Sequence, residues 1–160
     1  MVTVLVAIHV VISLVALALG VPWLYGMIVS QRRDRLTFWF LATTLGTSLS
    51  GFILPADRIL PSHIVGLISV VVIAVAYFAW YVRKSSGFWR PIFVITAVFA
   101  FYLNAFVFVV QAFLKVPVLK ALAPTQSEPP FLVAQLVVLV VFLGVGTIAC
   151  IRFRPVAAAV

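Results

Sequence analysis

His9 and His63 are the chain's two histidines, and no other side chain here ligates a metal or haem near neutral pH without unusual help. They open similar strings, "HVVIS" and "HIVGLIS". Three amides, Asn104, Gln111 and Gln135, stand in otherwise apolar surroundings. Asn104 and Gln111 are seven residues apart, so a helix places them on one face, with Lys115 a turn beyond. An amide in hydrocarbon needs a partner, and a ligand or a carbonyl of another helix serves equally well. Two imidazoles and three amides could hold haem b between the histidines, or hydrogen-bond a quinone. A histidine at a membrane boundary can also simply reach water.

The elements that must position these residues are membrane spans. Of 160 residues, 66% are apolar and 9% charged, with a mean hydropathy of +1.31. Soluble domains are about a quarter charged. Five apolar runs have the length of a bilayer's hydrocarbon core: about 4–29, 36–54, 63–82, 91–114 and 131–151. The expectation is an all-α integral membrane protein, one transmembrane helical domain over 1–160. The first run lacks a basic leader and is too long for a signal peptide, so it reads as a retained helix. Cys150 stands alone and can form no internal disulfide.

The net charge of +8 does not form a nucleic-acid-binding face. Arg32, Arg33, Arg35, Arg83, Lys84, Arg90, Arg152 and Arg154 lie at the ends of apolar runs, after spans one, three and five. The loops after spans two and four carry only Arg58, Lys115 and Lys120. The positive-inside rule then puts the N-terminus outside and the C-terminus in the cytoplasm. Ser62 reads as an N-cap for the third span, and Pro91 as a residue tolerated in the first turn of the fourth. Trp23, Tyr25, Trp39, Trp80, Tyr81 and Trp89 gather near the basic ends, as a cytoplasmic aromatic belt would.

In that orientation polar residues concentrate in the outer leaflet. They include His9, Ser13, Thr47, Ser48, Ser50, His63, Ser69, Gln111 and Gln135, with Asn104 nearer the middle. His9, Ser13, Ala16 and Gly20 share one helix face; Thr44, Thr47, Ser48 and Gly51 share another. Small residues let helices approach, so such stripes also serve plain packing. The similar histidine strings, each followed by a basic turn and then Phe-Trp, suggest spans one-two and three-four as a degenerate parallel repeat with a fifth span added.

The outer loop "KVPVLKALAPTQSEPPF" holds four of the nine prolines and Glu128, one of three acidic residues. Its first half can lie along the interface as a short amphipathic turn, and its prolines stiffen the path. Glu128 could answer Lys115, Lys120, Arg58 or a histidine across the outer site, or stand as a solvated carboxylate on a rigid connector. Asp57 and Arg58 in the other outer loop can satisfy each other. Glu128, Asp57, Arg58 and Lys115 are thus the candidate outer-loop contacts.

The strings "TSLSGFILP", "LPSHIVGLIS", "YLNAFVFVVQAFLKVP" and "LAPTQSEPPFLVAQ" together resemble a group of small inner-membrane proteins of proteobacteria. The resemblance covers most of the chain and implies a bacterial inner membrane. That group has no assigned activity, so it implies no functional residues. No nucleophile elbow, phosphate loop, HExxH or intramembrane carboxylate pair is present, and no catalytic residue is expected. Three functions remain open. The first is an accessory or assembly subunit that docks on a larger inner-membrane complex, or on copies of itself, through its outer loops. The second is a haem b- or quinone-binding electron-transfer module using His9, His63, Asn104, Gln111 and Gln135, with the histidines as haem-iron ligands. The third is a small-molecule or ion transporter.

Overall fold

The computed structural model describes residues 2–54 and 61–154; the Asp57–Arg58 pair lies outside them. The described chain is helical: α1 (Val2–Ile28), α2 (Asp34–Ile53), α3 (Pro61–Tyr77), α4 (Trp89–Lys115), the short α5 (Pro117–Leu122) and α6 (Pro129–Arg152). Phe78–Val82 extends α3 as one π-helical turn. Five helices are long and apolar enough to cross a membrane: Val4–Ile28, Asp34–Ile53, Ser62–Val82, Trp89–Lys115 and Pro129–Arg152. Their ends agree with the hydrophobic runs to within two residues.

Helices α3, α4 and α6 start one or two residues before their apolar runs, because proline suits a first turn whose N–H groups need no helical acceptor. Thus α3 begins at Pro61 and places Ser62 inside the first turn rather than at the N-cap. Likewise α6 begins at Pro129 and Pro130, and Pro91 falls in the first turn of α4.

Helices α1 to α4 pack in sequence, and α4 closes the ring against α1. Helix α6 lies outside this bundle against α4 and α1, and α5 lies against α4. Lipid tails are as apolar as leucine, so no hydrophobic force distinguishes a helix neighbour from lipid; close-fitting shape must hold the bundle.

That fit is aromatic at the basic end. Trp23 stacks on Phe40 at 4.5 Å between ring centroids and meets Phe93 edge-on at 6.1 Å. Trp80 packs on Phe93 at 4.3 Å and on Phe153 at 6.1 Å. Both indoles are fully buried, so they form a plug between helices and not, as their position in the sequence suggests, part of a lipid-facing belt. Trp39 and Tyr25 do face outward.

Polar bonds then tie the basic loops to the plug. The Arg32 guanidinium lies 4.3 Å over Trp80 and donates to Asp34 and to the Lys84 carbonyl. Arg90 donates to the Phe153 carbonyl at 2.8 Å, and the Arg154 N–H donates to Ser30 Oγ at 2.8 Å. Ser30 sits in the left-handed region (φ 58°) at the end of α1, where glycine is the usual residue. Its hydroxyl, as the acceptor for Arg154, is a reason for serine there.

Midway along the bundle, Gly20 of α1 abuts the Phe101 ring of α4. A Cβ at Gly20 would stand 2.4 Å from Phe101 Cζ. The ring has little freedom to yield, being held edge-on by Phe40 at 5.6 Å and Phe142 at 5.0 Å. Gly20→Ala is therefore expected to destabilise the bundle by about 1–3 kcal/mol, as overpacking does. Thermal unfolding in detergent, followed by circular dichroism, should show the loss, and Phe101→Leu added to Gly20→Ala should recover part of it. An unchanged midpoint in Gly20→Ala would show that this contact does not set the helix spacing.

Candidate functional site

Beyond the Gly20–Phe101 contact, the end of the bundle away from the basic loops is lined by small side chains. Thr47, Ser48, Gly51, Gly66 and Ser69 stand where the other end has tryptophan and phenylalanine. Too little volume is left to fill the space between four helices, and a cavity results. Its inner lobe, about 280 Å³, is bounded by α1, α2, α3 and α4 and lined by His9, His63, Asn104 and Gln111 together with those small residues. A second lobe of about 390 Å³ lies between α1 and α4 and reaches Lys115. The lobes share His9, Thr47, Asn104 and Gln111 as walls. Their combined size is that of a small-molecule site.

Several polar residues are spoken for by the protein itself. Ser48 Oγ donates to the Thr44 carbonyl at 3.1 Å and accepts from Ser69 Oγ at 3.0 Å, joining α2 to α3. Thr43, Thr47, Ser13, Thr96 and Thr147 bond back to carbonyls of their own helices. For these, the packing account of the polar stripes suffices.

His9 differs. Its Nδ1 lies 2.8 Å from Ser50 Oγ, and Ser50 Oγ is 3.0 Å from the Thr47 carbonyl. A serine has one proton to give. Both contacts are hydrogen bonds together only if Ser50 donates to the carbonyl and the imidazole Nδ1–H donates to Ser50. In the neutral ring this leaves Nε2 as a lone-pair acceptor, suited to a ligand hydroxyl or to a metal. Ser50 is the residue whose role the sequence concealed. It was visible as an outer polar residue, but its pairing with His9 depends on how α1 and α2 meet.

The two cavity amides are loosely held. Asn104 Nδ2 makes one long contact, 3.4 Å, to Thr44 Oγ1. Among the described residues the Gln111 side chain has no hydrogen-bond partner, although it sits within a span. An amide offers both a donor and an acceptor, so Asn104 and Gln111 can bind a carbonyl or a hydroxyl. The His63 ring stacks on Phe52 at 5.9 Å between centroids. Lys115 is exposed at the outer rim of the second lobe.

Gln135 is not brought to this cavity. Its Nε2 donates to the Phe106 carbonyl at 3.3 Å, tying α6 to α4. Glu128 turns to its own loop and not to a cation. Oε1 accepts from the Thr125 N–H and hydroxyl at 3.1 and 2.9 Å, and Oε2 accepts from the Ser127 N–H at 3.1 Å. Gln126, in the left-handed region (φ 60°), reaches the Val110 carbonyl at 2.8 Å and pins the loop to α4. The only ion pair among the described residues is Arg32–Asp34, at the other end of the molecule.

No family model, curated protein or solved structure matches this chain. The cavity's own chemistry therefore carries the functional argument.

Partial desolvation works to raise the Glu128 pKa, but the bonds from the Thr125 backbone and hydroxyl and from Ser127 outweigh it and hold the carboxyl below its ordinary value. A depressed folded-state pKa stabilises the loop above the unfolded value of about 4.3 and loses that stabilisation as pH falls through the folded value. Hydrogen exchange corrected for intrinsic rates should show constant protection of the Thr125 and Ser127 amides from pH 8 to about 5, and a decline below about 4. Glu128→Ala should remove that decline by lowering protection at every pH. Identical pH profiles for the two proteins would rule out the carboxylate as the loop's organiser.

Proposed function

We propose that this chain is a small multi-pass protein of a bacterial inner membrane that binds the headgroup of a lipid-soluble quinone in its outer cavity. The observation that carries this reading is the meeting of His9, whose Nε2 is left as an acceptor, with the loosely held Asn104 amide and the Gln111 amide, which has no hydrogen-bond partner among the described residues, in one pocket without charged side chains. Polar groups without partners are costly within a membrane span, and a quinone offers carbonyl or hydroxyl oxygens that would complete them. The headgroup is small and amphipathic, which suits walls that alternate Ser, Thr and Val.

The electron partner of such a quinone is a neighbouring subunit in this reading. That makes the protein an accessory module of a larger electron-transfer complex, docked through its stiff outer loops. Placing the basic end in the cytoplasm puts the N-terminus and the cavity on the outer side. Haem b ligated by His9 and His63 is the second reading, favoured by the presence of both imidazoles in the lining of one cavity.

Purified protein should retain quinone that can be extracted and measured. It should also bind a tailless benzoquinone headgroup in equilibrium dialysis. Gln111→Leu, Asn104→Leu and His9→Ala should each weaken that binding by about five- to tenfold, the effect of one lost hydrogen bond. Gln135→Leu, outside the cavity, should not. Equal binding by all four variants would end the quinone reading. A Soret band in oxidised and dithionite-reduced spectra, lost in His9→Ala or His63→Ala, would establish haem instead.

Orientation has its own test. With Cys150 replaced by Ala, a cysteine introduced at Ser127 should react with a membrane-impermeant maleimide in intact cells, and one at Ser86 should not. The reverse pattern would invert the topology.

A further inference from the structure

The two lobes of the cavity differ in character. The inner lobe carries the hydroxyls of Ser48, Ser62 and Ser69 and the His63 ring. The lobe between α1 and α4 instead continues along Val10, Leu14, Leu17, Phe108 and Ala112. Val10, Leu14 and Phe108 are 38%, 47% and 49% exposed, and as apolar side chains on spanning helices they face lipid. This lobe therefore opens sideways, into the bilayer.

Its shape has a local cause. Helices α1 and α4 touch tightly at Gly20 and Phe101, where a Cβ would meet the ring at 2.4 Å. Toward the outer end they separate, and the slot lines α1 from Leu17 to Val6. Eleven residues of helix correspond to about 16 Å, long enough for an extended alkyl or isoprenoid chain. His9 and Gln111 at the top of the slot, and Asn104 about two turns deeper, are also walls of the polar lobe. A molecule with its polar end among those residues would thus have its apolar end in a slot already open to lipid.

We propose that the α1–α4 slot is the entrance and tail channel for the quinone, which arrives laterally from the bilayer and lays its apolar chain along Val10, Leu14, Leu17 and Phe108. This inference rests on the headgroup reading of the polar lobe. It adds that the ligand is a tailed, membrane-borne molecule rather than a water-soluble one entering from the outer face.

The test compares a tailless benzoquinone headgroup with its decyl-tailed analogue, by equilibrium dialysis against the detergent-solubilised protein. Empty micelles measure and remove the partition of the tail into detergent. The tailed analogue should bind at least about tenfold more tightly, a modest share of the burial energy of such a chain. Ala112→Phe and Leu17→Trp fill the slot without lining the inner lobe. Each should reduce the tail's advantage to about threefold or less and leave tailless affinity unchanged. Agreement between the two variants, each checked for an unaltered melting temperature, guards against a folding defect.

Equal affinity for tailed and tailless ligands, or a tail advantage untouched by both variants, would overturn the slot. Failure of both ligands to bind the wild-type protein would instead sink the headgroup reading on which it stands.

Discussion

Inside a bilayer, apolar side chains gain nothing by leaving lipid for one another, so a small helical membrane protein is held together by how closely its surfaces fit. Here that fit is concentrated at one end. Trp23, Phe40, Trp80, Phe93 and Phe153 interlock with no polar spacer and fix the positions of α1 to α4. The Gly20–Phe101 contact sets the α1–α4 distance in mid-membrane. Once those positions are set, the opposite end needs little packing of its own. It can keep small hydroxylated side chains and the space between them.

The polar residues of that end divide under the same constraint. Most spend their hydrogen bonds within the protein: Ser48 on Ser69, Gln135 on Phe106, Gln126 on Val110. Those bonds link helices or pin the outer loop, and they replace the interactions that water would supply elsewhere. Gln135 keeps its buried Oε1 unpartnered even so, while Gln111, without a partner among the described residues, and Asn104, with one long contact to Thr44, share a face of α4 that looks into the cavity with His9. An amide without a partner among the described residues, on a helix packed against α3 and tied to the loop, meets what a binding group requires: rigidity without self-satisfaction.

Much of this was legible in the sequence. Twenty-residue apolar runs bounded by Arg, Lys and Pro mark helix ends to within two residues, because both signals follow directly from bilayer thickness and backbone sterics. The spacing of Asn104 and Gln111 already put them on one face, and they do line one cavity. The sequence could not tell which face meets which neighbour. Trp23 and Trp80 have the composition and position of interface anchors, yet they are buried, because α1 and the end of α3 turn them toward Phe40 and Phe93. Gln135 has the same chemistry and depth as Gln111 but belongs to a helix outside the four-helix ring. Depth is a property of the sequence; convergence is a property of helix order.

The loop between α4 and α6 shows how that order acts on the site. Its prolines and its carboxylate suggest a lid, and yet its strongest bonds run inward on itself or sideways onto α4. Glu128 gathers the Thr125–Ser127 turn, and Gln126 fastens that turn to the Val110 carbonyl, one residue before Gln111. One turn back on the same side of α4, Gln135 holds the Phe106 carbonyl, two residues after Asn104. Both ties thus hold α4 from outside the cavity. No residue from 117 to 128 lines either lobe of the cavity. The loop instead fixes the helix that carries Asn104 and Gln111.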